Sequence, residues 1–361
     1  MPVSPSLRTS DFDFALPAEL IAQAPPAERG ASRLLAVDRA SGQLADRRFA
    51  ELPALLGAGD LLVMNDSRVF PARLLGRRLP GGGGVECLLV RRLEADGDDP
   101  QRETWSALVH PGQRLRPGTA LVFDGPHQQL RGEIVGRHFH GRRTVRLRTD
   151  DATSVRDAIH ALGHVPLPPY IRRPDEGSDR ERYQTVFARR EGSVAAPTAG
   201  LHFTPEIVSA LTAAGIQTAT ITLHVGYGTF QPVRTEFIAD HRMDAEDYEV
   251  DQAAAAALTA ARAAGRRIVA VGTTTTRTLE SLATAPDGSI RAGRGSTDLF
   301  IAPGHRFRVV GGLVTNFHVP RSSLLMLVSA FAGVALTRRA YAHAVAERYR
   351  FYSYGDAMLI L

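Results

Sequence analysis

Residues 266–281, RRIVAVGTTTTRTLES, decide how this chain is read. Arg267-Ile268-Val269-Ala270-Val271 is a short, nearly continuous apolar run, the pattern of a strand buried on both faces. Leu279-Glu280-Ser281-Leu282 reads as helix. A strand that passes through a turn into a helix is one unit of an open α/β sheet. Capping that helix takes one hydroxyl, which Thr273 or Thr274 supplies. Further β-branched residues cost helix propensity and χ1 freedom, so the other hydroxyls need another reason. Such a turn suits a carboxylate or a sugar, because free backbone N–H groups and threonine hydroxyls point the same way. Capping plus packing is the plain alternative. Arg277 and Glu280, three apart on one face, either serve the same ligand or pair with each other.

The pattern around this unit is also α/β from about residue 185. Thr204-Pro205 is an N-cap and N1 pair, and Gly215 a C-terminal stop, around PEIVSALTAAG. IQTATITLHV follows as strand, DQAAAAALTAARAAG as helix, RVVGGLVTNF as strand, and an apolar helix begins after Ser322. Residues 61–150 are different. VECLLVRRL, WSALV, TALVF, GEIVG and TVRLRT are short runs divided by Gly, Pro and Asp, which predicts a small β-barrel. The expected fold is an α/β domain (1–60 and 151–361) with an inserted barrel (61–150). Residues 163–184, rich in proline and then in mixed charge, read as a long, exposed and mobile connection.

Composition excludes several chemistries. The 43 basic residues are all arginine, so a Schiff-base lysine, a pyridoxal-phosphate anchor and a P-loop lysine are out. With one cysteine, Cys87, there is no disulfide and no clustered-cysteine zinc site. No 20-residue apolar span and no apolar signal core is present, so the cytoplasm is expected. Net charge is +5 and the pI about 9.8, in keeping with a polyanionic partner. The excess is concentrated in RGEIVGRHFHGRRTVRLR, with Arg137, Arg142, Arg143, Arg146 and Arg148; Arg146 and Arg148 share a strand face. That face contacts phosphates or is simply solvated. His138 and His140, on the same stretch, are read as phosphate contacts too.

Open α/β sheets bind ligands at the carboxyl ends of their strands. Polar clusters fall at those expected positions: NDSR (65–68), APTAGLHFT (196–204), LHVGYGTF (223–230), GTTTTRT (272–278), TNFHVPRSS (315–323) and FYSYGDAML (351–359). Gly226 and Gly228 begin a dinucleotide-loop spacing, but Gln231 replaces its third glycine, which argues against a nicotinamide cofactor. His202, His224 and His318 sit inside these turns. Singly such histidines are usually structural; three on one edge favour an acid–base site. No His-x-x-x-His or His-Glu-x-x-His spacing joins them, so no metal is expected.

The same segments resemble, in order and nearly end to end, the S-adenosylmethionine:tRNA ribosyltransferase-isomerase family of queuosine biosynthesis. SDFDFALPAELIAQ, GDLLVMNDSRVFPARL, GHVPLPPYIRRPDE, VAAPTAGLHFT, TLHVGYGTFQPV, VGTTTTRTLES, TNFHVPRSSLLMLVSAFAG and ERYRFYSYGDAMLI carry the resemblance. It implies an α/β domain with an inserted barrel. It also implies transfer and isomerisation of the ribosyl part of S-adenosylmethionine onto an aminomethyl-deazaguanine at the tRNA wobble position. Adenine and methionine would leave, making S-adenosylmethionine a consumed co-substrate, with no further cofactor, and the chain is expected to act as a monomer. The sulfonium acidifies the neighbouring ribose methylene, so a base must take a proton there. His202 is the first choice and His224 the second, and Asp66 or Asp298 is expected to balance the sulfonium or bind the amine. The donor and base are expected to meet Asn65, Arg68, Thr198, Gly200, Gly226, Gly228, Thr229, Phe230, Thr273, Thr274, Arg277, Glu280, Asn316, His318 and Asp356. Tyr227 and Phe230 are candidates for stacking. The chain departs from the family pattern at Asp244, where a histidine is expected, at Thr275 and Thr276 and at Tyr227, where leucine is common.

Overall fold

The computed structural model describes residues 7–93, 99–138, 141–230, 232–282, 285 and 288–361, and only the backbone of Arg114, Thr229 and Phe230. Its centre is a nine-stranded mixed sheet. The order is Gly293–Thr297, Glu246–Val250, Gln217–Leu223, Leu61–Asn65, Ile268–Val271, Gly312–Asn316, Ala357–Ile360, Arg33–Val37 and Leu44–Arg48. Four neighbours, from Gln217–Leu223 to Gly312–Asn316, run parallel. Leu61–Asn65, Ile268–Val271 and Gly312–Asn316 are buried at every position, because helices cover both faces. Period-two alternation divides each strand between two cores: Leu61, Val63, Ile268 and Ala270 on one side, Leu62, Met64, Val269 and Val271 on the other. The helices after Thr204 and Ser322 start where the sequence predicts, whereas the threonine helix begins at Thr273 behind Gly272 and is not capped by Thr273 or Thr274. Thr204 Oγ1 accepts the Ile207 N–H ahead of Pro205–Ala213, and Asp251 accepts that of Ala254 ahead of Gln252–Ala263.

Six antiparallel strands, Arg73–Leu79 through Arg142–Arg148, close a barrel. Leu74, Cys87, Leu89, Phe123, Ile134 and Val145 fill it. Gly76 lets two strands and the Phe123 ring approach: a Cβ there would lie 2.3 Å from the Val122 carbonyl oxygen. The fold is thus the expected α/β domain with a barrel inserted in it. The expected boundary at residue 61 is displaced. Leu61–Asn65 is a central strand of the sheet, Ser67–Val69 pairs with Arg190–Ser193, and barrel strands begin at Arg73. The reason is visible in the residues, since an unbroken apolar run suits two-sided burial and not an amphipathic barrel wall.

Residues 163–184 differ from expectation too. Val165, Ile171 and Tyr183 are buried with Ala22, Leu201 and Tyr354 in a cluster of their own. Asp179, 1% exposed, accepts from Arg173, from the Glu176 N–H and from the Tyr354 hydroxyl.

No single helix among the described residues is long and apolar enough to cross a membrane. The apolar helix Ser323–Ala332 is ten residues long and mostly buried.

Candidate active site at the carboxyl edge of the sheet

The four parallel strands deliver Asn65, His224, Gly272 and Asn316 to one edge, and two further segments reach it from the other direction. Ala357–Ile360 runs antiparallel to Gly312–Asn316, so Tyr352, Ser353 and Asp356 precede it at this edge, as Ser32 precedes Arg33–Val37. Two adjoining cavities lie here, with Val225 in both walls.

The smaller, about 60 Å³, opens at the first turn of Thr273–Ser281. Gly272, at φ +89°, makes the turn, and no side chain caps the helix. Thr275 Oγ1 donates to the Val271 carbonyl, Thr276 to Gly272 and Thr278 to Thr274. Thr273 and Thr274 make no such bond and line the cavity with the unpaired N–H groups of the first turn. The four threonines therefore divide into two structural hydroxyls and two that face the cavity.

Thr198, Asn316, His318, Tyr170 and Tyr352 complete much of its wall. Tyr352 holds a left-handed φ of +73°, which stacks its ring 3.6 Å from that of Tyr170 and aims its carbonyl at Asn316. Asn316 is 2% exposed; its Nδ2 donates to that carbonyl and to His202 Nε2, while its Oδ1 has no partner. His318 accepts from or donates to Thr315 Oγ1 through Nε2, and burial pushes its pKa down to about 3.

The larger cavity, about 560 Å³, is a cleft between the barrel and the sheet. Phe70, Arg91, Arg142 and Trp105 line its barrel side, and His224, Gly226, Tyr227 and Asp244 the other. His224 Nδ1 is buried and has no partner. Burial lowers the pKa of this histidine, against the opposing charges of Asp247, Asp66 and Glu249, which favours the neutral ring. Gly192 lies against it: a Cβ there would come within 2.8 Å of the imidazole. Asp244 forms an ion pair with Arg142 at 2.5 Å, a bond across the cleft that the expected histidine could not make as a neutral ring. Among the described residues no group of three or more His, Cys, Asp or Glu is arranged to hold a metal ion.

A model of the family described as "Queuosine biosynthesis protein" matches residues 9–360. This chain belongs to that family. Among its relatives, the S-adenosylmethionine:tRNA ribosyltransferase-isomerase of Symbiobacterium thermophilum is 52% identical over 356 residues, which cover 98% of this chain and 100% of that one. The protein of the same name from Solibacter usitatus is 51% identical over 372 residues, at 98% and 100% coverage. The crystal structure of an S-adenosylmethionine tRNA ribosyltransferase from Thermotoga maritima superposes with a TM-score of 0.54 at 40% identity, covering 98% of this chain and all of that one.

Several residues expected in the site of this family member are committed elsewhere. His202 is 3% exposed and both ring nitrogens are used: Nε2 accepts from Asn316, so Nδ1 carries the proton and donates to Ser32 Oγ. Burial, and then the Arg350 charge, push its pKa down to about 3. That is a poor base with no lone pair free. Asp66 accepts from Arg189 and from Thr222 Oγ1, and Asp298 is exposed and lines neither cavity. Arg277, 3% exposed, is spent on Glu246 and on the Leu299 and Thr297 carbonyls. Glu280 does not pair with it. The burial of Glu280 would raise its pKa, but bonds from His305 and from the Arg308, Val310 and Val309 N–H groups hold it low. Asp356 accepts the Arg33 and Arg350 N–H groups, and Asn65 ties the Leu223 backbone and the Ser67 N–H. Arg68 is exposed on a two-stranded ribbon. Gly200 packs on Thr185, Gly228 on Asp244, and the Gly226 N–H donates to Glu246. The side chains of Thr229 and Phe230, and all of His140, lie outside the described residues.

The barrel arginines are mostly paired. Arg143 is 3% exposed and donates to the Gly112 and Arg142 carbonyls, so it is not a surface contact. Arg146 lies 3.6 Å from Glu133, and Arg148 and Arg131 share Asp150. Arg137 is exposed at its strand end. His138 bonds Thr144 Oγ1.

Sequence reasoning missed Tyr170, hidden in a stretch read as linker, and Ser32 and Gly192, whose roles exist only through distant partners.

Proposed function

We infer that this chain catalyses the reaction for which its relatives are named. The ribosyl part of S-adenosylmethionine is transferred and isomerised onto the 7-aminomethyl-7-deazaguanine of the tRNA wobble position, giving epoxyqueuosine-tRNA, adenine and methionine. The observation that carries the reading is the pair of cavities meeting at Val225, each with polar groups the fold leaves unused. Room for a few water-sized groups, beside a helix N-terminus, suits the amino-acid end of the donor. The rest of the donor then extends past Val225 toward the cleft, where the open volume and Trp105 suit a flipped-out nucleotide.

On this reading His224 replaces His202 as the base for the methylene next to the sulfonium. Its Nδ1 is unpartnered and its ring neutral near pH 7, two conditions that general-base catalysis requires. No metal or additional cofactor enters the proposal.

Product analysis tests it. Incubation with S-adenosylmethionine and tRNA bearing the aminomethyl base should release adenine and methionine in equal amounts. S-Adenosylhomocysteine would instead indicate a methyltransferase, no product an RNA-binding module, and equal turnover on unmodified guanine a different acceptor.

A further inference from the structure

We propose that the Asn316 carboxamide oxygen receives the α-ammonium of the sulfonium donor, and that His202 and Ser32 are positioning residues which keep that oxygen turned to the ligand. The inference rests on the donor reading above and adds the recognition of one group. The orientation of the amide is fixed by its partners. The Tyr352 carbonyl can only accept, so the amide nitrogen must face it, at 3.0 Å. The second amide hydrogen goes to His202 Nε2 at 3.1 Å. With both hydrogens used, Oδ1 is left as a buried acceptor without a partner, on a residue that is 2% exposed and lines the small cavity. Leaving such an atom buried and unsatisfied is costly, which marks it as a place where a donor group arrives.

His202 does its part only while neutral. A proton on Nε2 would set two donors against each other. Ser32 Oγ at 2.8 Å from Nδ1 takes the one ring proton and leaves the Nε2 lone pair toward Asn316. Phe49, its centroid 5.0 Å from that of the imidazole, packs the ring in place.

The chemistry of the rest of the cavity selects the ligand group. No charged side chain is among the described residues that line it. Besides Tyr170, Thr198, Thr315, His318, Ser322 and Ser353, its polar lining holds the first turn of Thr273–Ser281 with Thr273 and Thr274, which suits a carboxylate, and Asn316, whose unpartnered Oδ1 suits a cation or N–H donor. An α-amino acid carries both on one carbon, and a cavity of about 60 Å³ suits a head of that size. A primary ammonium from the tRNA base would satisfy Oδ1 but leave the helix terminus empty.

Calorimetry without tRNA tests this, with S-adenosylmethionine and its analogue in which the α-amino group is replaced by hydrogen. Wild type should prefer S-adenosylmethionine by tenfold or more. Asn316→Ala should weaken S-adenosylmethionine by about that factor and the deamino analogue less than twofold, the latter showing that the site is still folded. His202→Phe, which removes the acceptor, should lose the preference, and His202→Gln, which restores an acceptor oxygen, should keep most of it. Asn316→Ala weakening both ligands equally, or neither, overturns the proposal, as does a wild type without preference. A wild type that binds neither ligand overturns the donor reading along with it.

Discussion

The outer face of the barrel and the carboxyl edge of the sheet are both rich in polar side chains, and they use them in opposite ways. On the barrel, Arg131, Arg142, Arg146 and Arg148 each find a carboxylate in Asp150, Asp244 or Glu133. At the sheet edge, His224 Nδ1 and Asn316 Oδ1 are buried without a partner on residues that line the cavities, and Thr273 and Thr274 line the smaller one. Charge density along the chain points to the first region, and unmet bonding capacity to the second. A buried group without a partner costs more than an exposed ion pair returns, so the second is the stronger indicator of where ligands bind.

The sharpest way to break this contrast is at His224. His224→Ala should lower adenine release by roughly 10²- to 10⁴-fold while leaving donor binding within about threefold. The wild-type acid limb has a defined side as well. Because the proton-accepting form is the neutral ring and its pKa is lowered, activity at falling pH should persist below 6.5, the ordinary histidine value. A limb above 6.5 would assign the base elsewhere. Gly192→Ala sharpens the same point without replacing the imidazole. Its Cβ would sit 2.8 Å from that ring at a backbone φ of +146°, so turnover should drop by about tenfold or more with donor affinity kept.

Within one helix the threonines provide a smaller internal comparison. Thr273→Val with Thr274→Val should weaken donor binding by about tenfold, about 1.4 kcal/mol. Thr275→Val with Thr276→Val should leave it unchanged, since those hydroxyls only bond carbonyls one turn back. Equal effects from the two pairs would return the whole run to a structural role. The smallest effect belongs to the barrel. Two free phosphate contacts on single strands would contribute about 1.4 log units of salt dependence. Arg146→Gln with Arg148→Gln should flatten the tRNA-binding slope by less than this, because each arginine must first give up Glu133 or Asp150.

Much of this was legible in the residues. Continuous apolar runs marked the parallel strands, short divided runs the barrel, and the polar clusters at strand ends fall along the sheet edge where the two cavities open. Which members of those clusters face a cavity was not legible. Arg277 and Thr274 lie three apart in one motif, yet one is buried against Glu246 and the other opens on the cavity. His202 and His224 stand in equally polar turns, but only tertiary partners, Ser32 and Asn316 for one and Gly192 for the other, divide a positioning role from a free lone pair. Proline content likewise suggested an exposed linker at 163–184, where burial of Val165, Ile171 and Tyr183 depends on a face supplied by residues far away in the chain.

Hydrogen exchange at the ribose methylene tests the central assignment most directly. S-Adenosylmethionine deuterated at the carbon next to the sulfonium is incubated with the acceptor tRNA and wild type, His224→Ala or His202→Gln, and solvent uptake of the label is followed. Wild type and His202→Gln should release deuterium to solvent, and His224→Ala should not, although it still binds the donor. Release that survives in His224→Ala and disappears in a folded, donor-binding His202→Gln would contradict the account.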